Sequence, residues 1–234
     1  MLSLRTTDSL FDVCTSALEA MATTWSVPKE ELLNKFHTEL VGNGKQAWGV
    51  AFTRFAVVFF SAVVRQLSTK ATVYAAFRGK SDYLKSLSQH AEIFLNGTGG
   101  TCSYTPNEYL VDYYACAGLE KLVPLVTMES ESTLLTSVDS KDTSVSAMAK
   151  LHDIDKLLSV SSPRRIYVGK AKIGAVDGFL EAVAERLNQA YRSQVLARGD
   201  HFVLMVFVES KVGSTKSHRV EIREFDSLLR MVTR

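Results

Sequence analysis

His201-Phe-Val-Leu-Met-Val-Phe-Val-Glu209 is almost continuously apolar. A run of this length, rich in β-branched and aromatic residues, suits a strand buried on both faces at the centre of a sheet. Gly199 stops the segment before it. Upstream, Lys172 to Gln194 places Ile173, Val176, Leu180, Val183, Leu187 and Tyr191 on one stripe, with Lys172, Glu181, Glu185, Asn188 and Arg192 off it. That spacing predicts an amphipathic helix. Arg165-Ile-Tyr-Val168 reads as a strand before the helix. Downstream, Val212-Gly-Ser-Thr-Lys216 is a turn, and His218 to Phe225 alternates, with Val220 and Ile222 inward and Arg219, Glu221 and Arg223 outward. This suits a half-exposed strand paired with the apolar one. Phe225 to Val232 reads as a short closing helix. The last third is therefore a β-α-β-β unit whose helix covers one face of a three-stranded sheet.

The first half reads differently. Thr7 to Trp25 repeats Leu10, Val13, Cys14, Ala17, Leu18 and Met21 at helical spacing. Pro28, Glu30 and Glu31 open a second helix that runs to about Leu40. Gly42-Asn43-Gly44 breaks it, and Lys45 to about Gln66 forms a long apolar helix around Phe55-Ala-Val-Val-Phe-Phe-Ser-Ala-Val-Val64. This ten-residue stretch between Arg54 and Arg65 falls short of the ~20 apolar residues that span a bilayer, so a buried central helix is expected and no transmembrane segment. Ser68 to Phe77 fits helix or strand. Ser81 to about Leu95 and Pro106 to about Leu122 read as further helices. An α+β protein is thus expected, with an N-terminal helical bundle around a buried central helix and a C-terminal β-α-β-β module.

Three segments follow: a bundle over 1–125, an acidic Ser/Thr-rich connector with a short helix over 126–160, and a basic module over 161–234. The net charge of +2 alone points to no nucleic-acid or membrane partner, but its distribution is uneven. Residues 1–102 carry 10 basic and 8 acidic side chains, residues 103–162 carry 4 and 9, and residues 163–234 carry 13 and 8. Such asymmetry fits a nucleic-acid-facing module, or attraction between two parts of one fold. Three scattered cysteines and no leader pattern suggest a reducing, intracellular (cytoplasmic) setting.

Familiar chemistries find little support. Gly42-Asn43-Gly44-Lys45-Gln46 lacks the glycine and hydroxyl residue of a phosphate loop, and no strand precedes Asn96-Gly-Thr-Gly-Gly100. No histidine pairs with another at three or four residues, so no metal site and no cofactor are implied. His152-Asp153 with Asp155 matches part of a metal-dependent phosphohydrolase pattern, but no upstream ligands accompany it, and a solvated helix face is the simpler account. No Gly-x-Ser-x-Gly elbow occurs, and no catalytic residues are assigned. A site assembled only in space stays open.

One constellation stands out. If Ile166 and Val168 face the 172–194 helix, Arg165 and Tyr167 face away, and Arg219 and Arg223 join them on an open sheet face. Arg164, Lys170 and Lys216 lie near the same edge. Guanidiniums beside an aromatic ring suit RNA or single-stranded nucleic acid, where bases stack and cations meet phosphates.

Around Trp48 the chain reads Glu39-Leu-Val-Gly-Asn-Gly-Lys-Gln-Ala-Trp-Gly-Val-Ala-Phe52. This resembles the start of the central helix in apoptosis-regulating Bcl-2-type bundles, over residues 28–100 at most. Val50 stands where that family usually has arginine, and no Trp follows Gly100. The resemblance implies a groove that binds a partner helix, with Trp48 and Phe52 as contact residues.

The leading expectation is a non-enzymatic, self-associating RNA or single-stranded nucleic-acid binder, nucleocapsid-like or accessory. A protein-interaction module with a helix-binding groove is the second reading. A small hydrolase or transferase with a spatially assembled site is the third.

Overall fold

The computed structural model describes residues 9–40, 47–68, 71–76, 92, 94, 101–105, 111–117, 124–136, 145–196, 199–212, 215–225 and 231–232. Helices α1 (Leu10–Trp25), α2 (Leu32–Leu40, after a 3-10 turn at Lys29–Glu31) and α3 (Ala47–Leu67) come first. Strands β1 (Ala71–Ala76), β2 (Thr101–Thr105), β3 (Tyr113–Ala117) and β4 (Val126–Leu135) follow. Then come α4 (Val145–Ser159), β5 (Arg164–Lys172), α5 (Val176–Arg192), β6 (His201–Val212), β7 (Thr215–Phe225) and β8 (Met231–Val232). The eight strands among the described residues share one sheet in the order β2-β1-β3-β4-β5-β6-β7-β8. The protein is α+β, as its sequence predicts.

Strands β4, β5 and β6 are parallel neighbours joined through α4 and α5. Their alternate residues feed two cores. Ile166, Val168, Val203, Met205 and Phe207 pack with the apolar residues of α1, α2 and α3. Tyr167, Ala171, Phe202, Leu204, Val206 and Val208 pack with those of α4 and α5. Helices on both faces explain why β6 is apolar at nearly every position.

Helix α3 is the buried centre of the first core. Phe55 and Phe52 meet Phe207 of β6 edge-on, at centroid distances of 4.9 and 6.2 Å. Trp48–Leu67 has a mean hydropathy of 1.5, long and apolar enough by composition to cross a bilayer, but 67% of it is packed inside the protein. Ser61 lies within this run, fully buried, and its hydroxyl donates to the Val57 carbonyl at 2.8 Å. The helix thus satisfies its own polar residue. Ser61→Ala is expected to change stability by less than about 1 kcal/mol in denaturant unfolding, because donor and packing site vanish together without stranding a partner.

Several sequence expectations are corrected here. The expected bundle over 1–125 is interrupted by β1, β2 and β3. Within the helix expected over 106–122, Tyr113–Ala117 is a strand. Its apolar residues fit either period, and cross-strand pairing decides: Tyr114 lies opposite Tyr74 and stacks on it at 4.7 Å. The connector expected over 126–160 begins with a ten-residue strand at the centre of the sheet. Val126 and Met128 fill the α1–α3 core while the intervening residues face the other way. Met231–Val232 pairs with β7 where a helix was expected. The loops at 42–46 and 96–100, and most of the helix expected over 81–95, lie outside the described residues.

Candidate acid–base site

Arg165, Tyr167, Arg219 and Arg223 do share a face. Their register partners on β6 are Phe202, Leu204, Val208 and Leu204, all in the core under α4 and α5. Ile166 and Val168 face α1–α3, not the helix expected over 172–194, and the β5 part of the shared face is covered by α4 and α5, while Arg219 on β7 stays exposed. Tyr167 is fully buried and Arg165 only 2% exposed. The Arg165 guanidinium donates to the Leu157 and Val160 carbonyls at 3.0 and 2.9 Å and pairs with Asp200 at 3.0 Å. It caps the C-terminal end of α4, where carbonyls lack helical partners. Arg219 is well exposed and pairs with Glu221, and Arg223 reaches the same carboxylate at 3.2 Å. Arg164 is half-buried. Lys170 lies on the opposite face, its ammonium 5.4 Å from the Phe52 ring centre. Lys216 pairs in β7, and its side chain lies outside the described residues. Phe52 is buried in the core, closed to a partner, while half-buried Trp48 stacks on His37 at 3.8 Å.

A different set of side chains converges on the α4 side of β4. Glu129 of β4 lies beside Tyr167 of β5 in the parallel ladder. Asp112, just before β3, accepts from the Ser130 amide at 3.0 Å and the Ser130 hydroxyl at 3.2 Å. From α4, which packs on β4, Lys156 approaches Glu129 at 3.8 Å and Asp153, one turn earlier, at 3.2 Å. Three elements thus bring Asp112, Glu129, Asp153 and Lys156 together. Glu131 follows Glu129 on the same face, at the bulge where the β4–β5 register shifts.

Burial governs the charges. Glu129 is 2% exposed, and desolvation pushes its carboxyl up to about 10, with repulsion from Asp112 adding to the shift against the pull of Lys156. Asp112 and Asp153 are also raised by burial, Asp112 less than it would be without the Ser130 amide. Burial would lower the Lys156 ammonium, but Glu129 and Asp153 outweigh it and raise it. Burial and the neighbouring Asp112 thus favour the protonated form of Glu129, against the pull of Lys156. Carboxyls raised by burial stand beside an ammonium, at 3.8 Å for Glu129 and 3.2 Å for Asp153. Among the described residues, no group of three or more His, Cys, Asp or Glu side chains could hold a metal ion.

Of these residues only Asp153 is read for chemistry in the sequence, with His152 and Asp155 as part of a metal-dependent phosphohydrolase pattern, and a solvated face is the simpler account there. Asp112 fell in an expected helix, Glu129 in an expected connector and Asp153 on an expected solvated face. The signal available was the acidic balance of residues 103–162. Comparison of the chain with family models, with curated proteins and with solved structures finds no match.

Proposed function

We propose that the protein is an acid–base enzyme, a hydrolase or transferase whose site is assembled in space from Asp112, Glu129, Asp153 and Lys156. The observation that carries this reading is the convergence of Asp112, Glu129 and Asp153 with Lys156 on one side of β4, where Glu129 is buried, its carboxyl raised by desolvation, and the Lys156 ammonium stands 3.8 Å from it. Perturbed carboxyl groups of this kind concentrate at functional sites, because a general acid must hold its proton at working pH. Asp112 takes the proton of an attacking water or hydroxyl. Glu129 gives its own to the leaving group. The proton on Asp112 then returns to Glu129 along their hydrogen bond, which restores the starting state. Lys156 offsets negative charge that develops between these events.

A panel of chromogenic esters, amides and phosphoesters tests the reading. Turnover that falls about 100-fold or more in Glu129→Gln, with the fold intact by circular dichroism, supports it. Turnover in the wild type that Glu129→Gln leaves unchanged refutes it. The nucleic-acid reading retains Arg219 as the strongly exposed guanidinium of its four-residue face. It therefore has weaker support than the acid–base reading.

A further inference from the structure

Tyr167 is fully buried, yet its hydroxyl has no hydrogen-bond partner among the described residues. Buried phenols normally find one, so an orphaned hydroxyl asks for a ligand group or an ordered water. Two neighbours fix the ring. Phe179 of α5 packs against it at 5.7 Å. On the strand, the ring lies along Gly169, where a Cβ would stand 2.7 Å from Cε1 and 3.1 Å from the hydroxyl oxygen. Only a residue without a side chain leaves that space. In the ladder Glu129 sits beside Tyr167 and Glu131 beside Gly169, so the ring reaches along the row of carboxylates. Burial first, then Asp153, Glu131, Glu129 and Asp112, hold the phenol well above its ordinary range, so it stays a donor at any working pH. Protonated Glu129 and the Lys156 ammonium bring further donors to the same side of the sheet.

Resting on the acid–base reading above, we infer that Tyr167 donates its hydrogen bond to an acceptor oxygen of the bound substrate, carbonyl or phosphoryl, and that Gly169 is the positioning residue that lays the ring in place. Lys156 and Asp153 mark the side from which such a group enters, with 24% and 13% of their side chains exposed while Glu129 and Tyr167 lie deeper.

The experiment uses the full chain with 3-fluorotyrosine at position 167, followed by fluorine NMR during titration with acetamide and, separately, with inorganic phosphate. A saturable shift with one of the two probes is expected, and the responding probe tells carbonyl from phosphoryl. Calorimetry should show that Tyr167→Phe weakens that probe about tenfold, the size of one lost hydrogen bond. Gly169→Ala should move the resonance of the unliganded protein and weaken the probe at least as much. If Gly169→Ala does not fold, Tyr167→Phe decides, because phenylalanine keeps the ring seated on Gly169. The inference is overturned if neither probe shifts the resonance, or if Tyr167→Phe leaves affinity unchanged. Tested on the chromogenic panel, a silent Tyr167→Phe beside a crippled Glu129→Gln removes this inference and leaves the acid–base reading standing. A silent Glu129→Gln removes both.

Discussion

Arg165→Ala is expected to destabilise the protein by about 3–5 kcal/mol, as removal of one partner from a buried ion pair does. The side chain is 2% exposed, and its guanidinium serves three acceptors at once. Two are carbonyls at the end of α4, and the third is the Asp200 carboxylate that precedes β6. Truncation leaves Asp200 without this cation and strips the Leu157 and Val160 carbonyls of a donor. It also empties a stem that packs between α4 and the sheet. Arg165→Lys should recover only part of the loss, because an ammonium cannot offer the guanidinium's planar fork to acceptors in different directions. Urea unfolding measures the effect as a lower midpoint at unchanged slope. An Arg165→Ala midpoint within error of the wild type would mean that the cap contributes nothing. The substitution therefore cannot probe nucleic-acid binding cleanly, whereas Arg219→Ala, on an exposed side chain, can.

The same residue shows where sequence reading stops. Alternation along Arg165–Val168 sorts four side chains into two faces, and Arg165, Tyr167, Arg219 and Arg223 do fall together. Alternation does not say which helix covers which face. Apolar residues on one face imply a helix there, but the polar face here is covered too, because Arg165 finds acceptors in the end of α4. Strand β6 was legible because both its faces are buried over residues 202–208 and every position of that run is apolar. Helices α1 and α3 were legible because apolar residues recur at their period. Strand β4 was not. Thr127-Met-Glu-Ser-Glu131 carries the composition of a solvated connector, and its place in the middle of the sheet depends on partners far along the chain. The site was hidden for the same reason. Asp112, Glu129 and Asp153 each look like ordinary surface acids in sequence, and only strand pairing and the seating of α4 bury them together.

Glu129→Gln is expected to abolish turnover and raise stability at once. The folded-state carboxyl, raised to about 10 against an ordinary 4.5, prefers its proton. Its contribution to stability is thus fully present below about pH 4.5 and is lost progressively as pH climbs towards 10. Asp112 and Asp153, also raised, act in the same direction from slightly lower pH. Lys156, raised, begins to lose its contribution only above its ordinary 10.5. At pH 7 the wild type has accordingly given up as much as about 3 kcal/mol at Glu129 alone, taking 1.36 kcal/mol per unit. Glutamine has nearly the same shape, cannot ionise, and still offers Asp112 an N–H donor. A net gain of about 1–3 kcal/mol at pH 7–8 follows, or roughly 5 °C in melting temperature for a chain of this size. The pH series is the sharper measurement. Wild-type melting temperature should fall between pH 5 and pH 9, and the Glu129→Gln curve should be flatter, so that the two converge at the acid end. Parallel curves would mean that Glu129 ionises alike in folded and unfolded chains, and both the acid–base mechanism and the buried, protonated state would then have to be abandoned. Converging curves with lost turnover would identify Glu129 as a residue kept for chemistry against the interest of stability, since a cluster kept for stability would be weakened by the same substitution.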